Sequence, residues 1–146
     1  MPGRCQVDFY VLQDAELSAK HLACRLALRA WEQGHRVAVI TEDESQAKMV
    51  DELMWEHPPG RFLPHSRGAA DSMAPVQIGT ATDAIGSDRD LIINLTALEF
   101  PEPERFSRLL EIVPAQDAER AASRDKFKAY RGRGLTPITH KIGKSK

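Results

Sequence analysis

The alternation of short apolar runs with amphipathic segments constrains the fold more than any other feature of the sequence. Residues 7–12 are rich in β-branched and aromatic side chains, and residues 36–41 form an almost continuous apolar run, so both favour strands. Apolar residues at three- and four-residue spacing predict one helix over residues 18–33, capped by Ser18, and another over residues 45–55. Gly34 fits the left-handed position after the first helix. This order predicts a parallel α/β sheet with right-handed crossovers.

The middle of the chain has a weaker pattern. Residues 61–74 include a run of small and polar residues that favours a surface loop. Residues 76–80 and 90–96 predict two further strands, because both contain β-branched apolar residues. Residues 106–113 suit either a helix or a strand, and periodicity leaves the choice open. We therefore expect an α/β fold with one mostly parallel sheet flanked by helices.

Length and composition place the chain among ordinary globular proteins. It has 146 residues, 42% hydrophobic and 28% charged, with a formal net charge of −1, which suits a single domain over residues 1–135. No apolar run is long enough to cross a membrane, and the first residues have no secretory pattern. The two cysteines provide neither a disulfide framework nor a four-ligand zinc site. These features predict a cytoplasmic protein without membrane association.

The charge is distributed unevenly along the chain. Residues 119–146 carry nine basic and two acidic residues, whereas residues 1–118 carry 11 basic and 19 acidic residues. A basic end on an acidic body suggests an anionic partner. The alternative for residues 136–146, a basic C-terminal tail that is solvated and partly disordered, stays open.

Most motifs of catalysis and cofactor binding are absent. A glycine-rich phosphate loop would have to follow the first strand, but residues 13–16 contain no glycine and carry two negative charges. The five histidines have no metal-ligand spacing, so we expect no metal and no cofactor. The acidic residues 42–44 suit a helix N-terminus. Their enzymatic alternative is a small α/β enzyme acting on phosphorylated or nucleotide substrates, in which Glu42 and Asp43 cooperate with the basic last helix.

That last helix is predicted over residues 117–131, with Asp117 as its N-cap and Gly132 just beyond its end. On a helical wheel its alanines share one face, which we expect to pack on the sheet. The opposite face carries three arginines around the ring of Phe127: Arg120, Arg124 and Arg131. One more cation, Lys128, lies at the border of this face. Arginine binds carboxylates through paired hydrogen bonds, so this face suits an acidic peptide, or a nucleic-acid strand with a base stacked on the ring.

A second candidate surface surrounds the prolines at positions 58 and 59. It comprises two large aromatic residues with two neighbours: Trp55, Phe62, Pro64 and His65. Composition favours burial of these residues under a loop, because large apolar side chains are usually inside. Aromatic residues on a proline-stiffened loop are also typical of interface anchors.

The same two regions carry a resemblance to a known family. The motifs are residues 9–12, 36–44, 53–55, 62–65, 90–95 and 126–131, of which Trp55, Phe62-x-Pro-His65 and Lys128-Ala-Tyr-Arg131 are the most specific in this order. With them the sequence resembles the chi subunit of the bacterial DNA polymerase III holoenzyme, nearly end to end. The resemblance implies a Rossmann-like fold without a nucleotide-binding loop. It also implies a non-catalytic adaptor in DNA replication and repair, located in the cytoplasm at the nucleoid-associated replisome.

The resemblance further implies partners and their sites. The adaptor would link the clamp loader, through its psi subunit, to the acidic C-terminal tail of single-stranded-DNA-binding protein (SSB), with mostly indirect contact to DNA. The site for the SSB tail carries over to Arg120, Arg124, Phe127 and Lys128. The site for psi, shared with a helicase-like repair protein, carries over to Trp55, Phe62, Pro64 and His65.

Residues 68–74 and 133–146 match the family poorly, so nothing is transferred to them. Weak DNA contacts by the basic end are a separate hypothesis, resting on Arg133, Lys141, Lys144 and Lys146.

Overall fold

The computed structural model describes residues 5–56, 63–67, 74–80, 85–86 and 88–143. Within them lie seven strands, three α-helices and a 3-10 helix over Pro103–Arg105. The strands are β1 (Gln6–Leu12), β2 (Val37–Thr41), β3 (His65–Arg67), β4 (Val76–Thr80), β5 (Leu91–Asn94), β6 (Arg108–Val113) and β7 (Ile138–Ile142). The helices are α1 (Ala19–Glu32), α2 (Glu44–Glu56) and α3 (Asp117–Gly132).

The strands form one sheet in the order β3-β4-β2-β5-β6-β1-β7, and every pairing is parallel. The predicted fold class is therefore confirmed. The order also corrects the tail prediction for residues 138–142, because β7 pairs with β1 from Asp8↔Ile138 to Leu12↔Ile142. Its backbone hydrogen bonds to β1 hold this part of the basic end at the edge of the sheet.

The two sides of the sheet are covered by different helices. Alternate residues of each strand point to opposite sides. On one side α1 and α2 pack over a core that includes Leu12, Val39 and Ile93. On the other side α3 packs over a core that includes Phe9 and Ile92. The sheet is thus a shared wall between two separate cores.

The termini of the first helix follow the prediction, whereas those of the last one differ. Ser18 Oγ accepts from the backbone N–H of His21 at 3.3 Å, and Gly34 has a φ of +94°. In α3, Asp117 was predicted as the N-cap, but Gln116 occupies that position and Asp117 lies in the first turn. There its carboxylate lies at the positive end of the helix dipole, which is favourable at this position as well.

Two middle segments are now assigned. The segment over residues 106–113, left open between helix and strand, contains β6 from Arg108 to Val113, which lies between two parallel neighbours. The predicted loop over residues 61–74 contains the short strand β3, which pairs with β4 at the edge of the sheet. The loop prediction was wrong there because edge pairing holds a segment that has little apolar character of its own.

A buried polar network joins α3 to the sheet. Glu111 of β6 is fully buried, and its Oε1 accepts from Lys126 Nζ at 2.7 Å. Its Oε2 accepts from Tyr130 Oη and, at 2.9 Å, from Asn94 Nδ2. Tyr130 Oη in turn accepts from the backbone N–H of Phe100 at 2.7 Å. The carboxylate of β6 is therefore bound by two side chains of α3 and by one of β5.

We expect Tyr130→Phe to lower the free energy of unfolding by about 1–3 kcal/mol, because it removes one donor to Glu111 and leaves the Phe100 N–H unsatisfied. Urea denaturation followed by circular dichroism measures this loss. The matched control is Tyr10→Phe, which changes the chain's other tyrosine, one that is half-buried on the opposite side of the sheet. Equal losses from the two variants would contradict the special role of the network.

A second buried carboxylate, that of Asp8, lies on the α1 side of the sheet. Its Oδ2 accepts from Arg108 Nη2 at 2.7 Å, and its Oδ1 is 2.9 Å from His140 Nε2. Burial raises the pKa of Asp8, but the hydrogen bonds to His140 and Arg108 outweigh it and hold that pKa below its usual value. The ionised form is therefore favoured in the folded state.

A carboxyl group with a lowered folded pKa contributes stability above its unfolded pKa and loses it as pH falls through the folded value. We expect the free energy of unfolding to fall as pH drops from about 4 through the lowered pKa of Asp8, and Asp8→Asn to flatten the curve over that window. Denaturation at a series of pH values measures this. Asp125→Asn, at an exposed carboxylate of α3, should leave the curve unchanged, and a curve that Asp8→Asn leaves as steep as before would refute the assignment.

Candidate functional site

The orientation of α3 on the sheet differs from the predicted one. The alanine face was expected to pack inward, but Ala118 and Ala121 are exposed, and the buried side chains are those of Lys126 and Tyr130. Both reach Glu111, so the buried carboxylate outweighs the close packing that small residues would allow. This rotation turns the predicted cationic face towards the border between helix and sheet.

A groove runs along this border, and we call it the Phe127 groove. Its volume is about 270 Å³. It is lined by α3 and by three neighbouring strands, through Phe9, Val11, Val113, Arg120, Ser123, Arg124, Phe127 and Thr139. The ring of Phe127 packs on that of Phe9 with 5.3 Å between centroids, which fixes the apolar wall of the groove.

Two guanidinium groups stand over this apolar wall. Arg120 is half-buried, and its Nη2 donates to the carbonyl oxygen of Leu12 at 3.3 Å. Its Nε is buried and has no hydrogen-bond partner within the part of the chain that the structure describes. Arg124 is exposed one turn further along. Within the same part of the chain no carboxylate forms an ion pair with either arginine, so both charges are available to an anionic ligand.

A second hollow of about 470 Å³ lies on the other side of Phe127. It is lined by Phe127, Arg131, Gly134, Leu135, Thr136 and Pro137. Phe127 therefore separates two neighbouring depressions, each with an arginine beside apolar atoms. An extended chain could occupy both depressions while it crosses the ring.

The remaining cations of this region have different surroundings. Lys128 is exposed and is not among the residues that line either depression. Arg133 forms a two-point ion pair with Glu104, at 2.7 and 2.8 Å, so its charge is already neutralised in part. Lys141 is exposed on β7, and residues 144 and 146 lie outside the described chain. The hypothesis of DNA contacts by the basic end thus rests on fewer free cations than the sequence suggests.

The second predicted surface lies at the end of α2. Trp55 is 61% exposed, although composition favoured its burial. The rings of Trp55 and His65 pack in an edge-on arrangement, with 4.8 Å between their centroids. The imidazole of His65 lies between the carbonyl oxygen of Leu63, 2.7 Å from Nδ1, and Asp51 Oδ1, 2.9 Å from Nε2. Pro64 is half-buried, and Phe62 lies outside the described residues. The structure brings Trp55 and His65 together, with Trp55 facing solvent.

The acidic residues at the start of α2 bind backbone groups. Asp43 Oδ1 accepts from the N–H of Gln46 at 2.8 Å, as a helix cap does. Glu42 Oε2 accepts from the N–H of Ala97 at 2.6 Å. Both carboxylates therefore have structural partners, which gives the enzymatic alternative no support.

The strand residues of the Phe127 groove, Phe9, Val11, Val113 and Thr139, did not follow from the sequence. Phe9, Val11 and Val113 look like ordinary core residues there, and Thr139 belongs to a segment without a clear strand pattern. A usable signal was Phe9, which alternates with Asp8 and Tyr10 and so lies on the side of β1 opposite to them. The sequence does not indicate which side of the sheet α3 covers, so the contact between Phe9 and α3 could not be predicted from it.

Within the described ranges no cluster of three or more histidine, cysteine or acidic residues has a geometry suited to a metal ion. Nor does any helix of those ranges have the length and apolar character needed to span a membrane.

Comparison with known proteins gives a consistent result. The family model described as "DNA polymerase III chi subunit, HolC" matches residues 5–137. The DNA polymerase III subunit chi of Pseudomonas aeruginosa is 42% identical over 139 residues, covering 94% of this chain and 96% of the relative. The Haemophilus influenzae subunit chi is 32% identical over 140 residues, covering 93% and 96%. The Escherichia coli subunit chi is 32% identical over 134 residues, covering 87% and 91%.

Solved structures of Saccharomyces cerevisiae Dbp5 share the fold. One, bound to RNA and ADP BeF3, has a TM-score of 0.63 at 10% identity, and another, a variant bound to Gle1 and IP6, has 0.63 at 9%. They cover 95% and 96% of this chain, which spans 42% and 43% of those longer chains. At this identity the likeness concerns the fold alone.

Proposed function

This chain belongs to the family of DNA polymerase III chi subunits, accessory and non-catalytic components in DNA replication, and from that premise we propose that it is an adaptor that binds the C-terminal tail of SSB in the Phe127 groove. The observation that carries the proposal is the pair of arginines, Arg120 and Arg124, placed over an apolar wall. The second proposed contact is with the clamp loader, through its psi subunit, at Trp55.

The chemistry of the groove suits the end of an acidic peptide. A terminal carboxylate can accept paired hydrogen bonds from a guanidinium, and the Arg124 side chain is exposed for this. The last side chain of the peptide, if apolar, would bury itself against Phe127 and Phe9. Acidic residues further from the terminus would be attracted by Arg120 and Lys128. Each element of such a tail therefore has a counterpart in the groove or, for Lys128, on the exposed helix surface near it.

The structure favours this peptide over a stacked nucleic-acid base, the other ligand considered for this helix face. Phe127 is half-buried and its ring already packs against Phe9, so its faces are less available for a base than those of an exposed ring. The groove also places two arginines beside apolar atoms, which suits a terminal carboxylate that accepts paired hydrogen bonds.

The proposed psi surface rests on a separate observation. Trp55 exposes a large apolar ring at the end of α2, supported from beneath by the fixed imidazole of His65. Exposed tryptophans on a rigid support are frequent hot spots of protein interfaces. The two proposed partners thus use different elements, α2 and α3, on opposite sides of the sheet, so both can be bound at the same time. The helicase-like repair protein is proposed as an alternative occupant of the Trp55 surface.

Arg124→Ala should weaken binding of a labelled SSB C-terminal peptide by roughly tenfold to 150-fold, since a hydrogen bond to a charged group contributes about 1.5–3 kcal/mol. Fluorescence anisotropy at two salt concentrations measures it, and the wild-type affinity should fall with salt. Lys48→Ala, at an exposed cation of α2, is the matched control and should have no effect. Unchanged binding by Arg124→Ala, or equal binding of a peptide lacking its last residue, would refute the proposed site.

Trp55→Ala should reduce the affinity for purified psi subunit by about 2 kcal/mol or more, some thirtyfold, because it removes the central anchor of the surface. Isothermal titration calorimetry gives this value. Met49→Ala removes another exposed apolar side chain of α2 and should change little. If Arg124→Ala weakened psi binding as much as Trp55→Ala did, the separation into two sites would be wrong.

A further inference from the structure

A cavity lies on the α1 side of the sheet, away from both proposed sites. Its volume is about 670 Å³, within the range typical of ligand sites. Its floor is apolar and includes Tyr10, Leu110 and Ile142, and its wall is the face of α1 that carries Arg25 and Arg29. We call it the α1 groove.

The α1 groove exists because the helices on this side cover only part of the sheet. α1 packs mainly over β2, β5 and β6, and α2 packs over β2, β3 and β4. The strands β1 and β7 form the remaining width of the sheet on this side. Two strands span about 10 Å, which is the space that a packed helix occupies. Within the described ranges, the area that α1 and α2 leave uncovered therefore has the width of one helix.

The surface of this area is apolar where a helix would pack. Tyr10 and Ile142 are half-buried, and Ile138, on the same side of β7, is 47% exposed. The ring of Tyr10 stacks on that of His140 with 4.8 Å between centroids, so the floor is held in place. Asp8, beneath them, is bound to Arg108 and His140. The carboxylate is thus covered, and the floor offers no exposed negative charge.

The two arginines on the α1 wall of the groove favour a ligand with negative charge. Arg25 and Arg29 are exposed and lie four residues apart, hence one helical turn or about 6 Å along the axis. In the described chain neither forms an ion pair with a carboxylate, and no acidic side chain is among the residues that line the groove there. A helix packed beside α1 would meet these cations with carboxylates at the same four-residue spacing.

We infer that the α1 groove is a docking site for an acidic amphipathic α-helix of a partner protein. The apolar stripe of that helix lies on Tyr10, Leu110 and Ile142, and its carboxylates pair with Arg25 and Arg29. The groove and the Phe127 groove are on opposite sides of the sheet, so this site is independent of the proposed tail-binding site.

The test uses the whole protein and a synthetic probe. The probe is a fluorescein-labelled peptide of eighteen residues, with leucine at three- and four-residue spacing and glutamate at the other positions. A second peptide has lysine in place of every glutamate, and a third has two central prolines that prevent a helix. Binding is followed by anisotropy, and its location by amide chemical shifts in NMR spectra of the isotopically labelled protein.

We expect the glutamate peptide to bind and to shift the amides of Tyr10, Leu110 and Ile142, with little change along α3. The double variant R25E/R29E should weaken its binding at least tenfold, since both substitutions are at exposed positions and reverse the charge of the wall. Lys48→Glu, at an exposed cation of α2 that lines neither groove, should leave the binding unchanged, and the location of the amide shifts separates this proposal from the tail-binding one. Circular dichroism checks that each variant is folded.

Four results would overturn the inference. Equal binding of the lysine peptide would show that the charge of the wall plays no part, and equal binding of the proline peptide would show that no helix is recognised. Shifts confined to the Phe127 groove would assign the peptide to the other site. If an oligothymidylate changed the amide chemical shifts of the α1 groove and the glutamate peptide did not, the groove would be a nucleic-acid site.

Discussion

The buried carboxylate of Glu111 is the constraint on which the placement of α3 depends. A charge removed from water is costly unless hydrogen bonds satisfy its oxygens. Here burial raises the pKa of Glu111, opposed by the neighbouring charge of Lys126 and by hydrogen bonds from Lys126, Tyr130 and Asn94. Two of these partners are on α3, one turn apart, and they fix the rotation of the helix about its axis. The direction of Phe127 then follows from its position between them.

This rotation converts an ordinary packing helix into one wall of a groove. With Lys126 and Tyr130 directed at Glu111, Phe127 meets Phe9 and stands between two depressions. Arg120 and Arg124, seven and three residues earlier, stand over the same border. Had the alanines packed inward, these cations would have pointed away from the sheet without an apolar surface beside them. The buried ion pair thus contributes to the proposed function through geometry, at a distance from the ligand.

Much of the fold follows from local pattern, and the parts that do not are set by long-range pairing. The strands β1 and β2 and the cap at Ser18 are local features and were predicted within one or two residues. β3 and β7 are edge strands whose stability comes from a neighbour distant in sequence, so local pattern missed both of them. The same holds for the site. The cations and the ring of α3 were found from their spacing, but the side of the helix that meets the sheet depends on Glu111, which a helical wheel does not contain.

The carboxyl ends of β1 and β2 belong to the edge where open α/β sheets usually bind ligands, and here they are followed by carboxylates that bind the chain's own backbone. After β1 the carboxylate of Asp14 accepts from the N–H of Glu16, and after β2 those of Glu42 and Asp43 bind backbone N–H groups. Negative charge at these positions repels a phosphate, and the N–H groups that would bind it already have partners. The grooves described for this chain lie on the sides of its sheet. Grooves on the two sides are separated by the thickness of the sheet, so an occupant of one does not obstruct the other, as joining two partners requires.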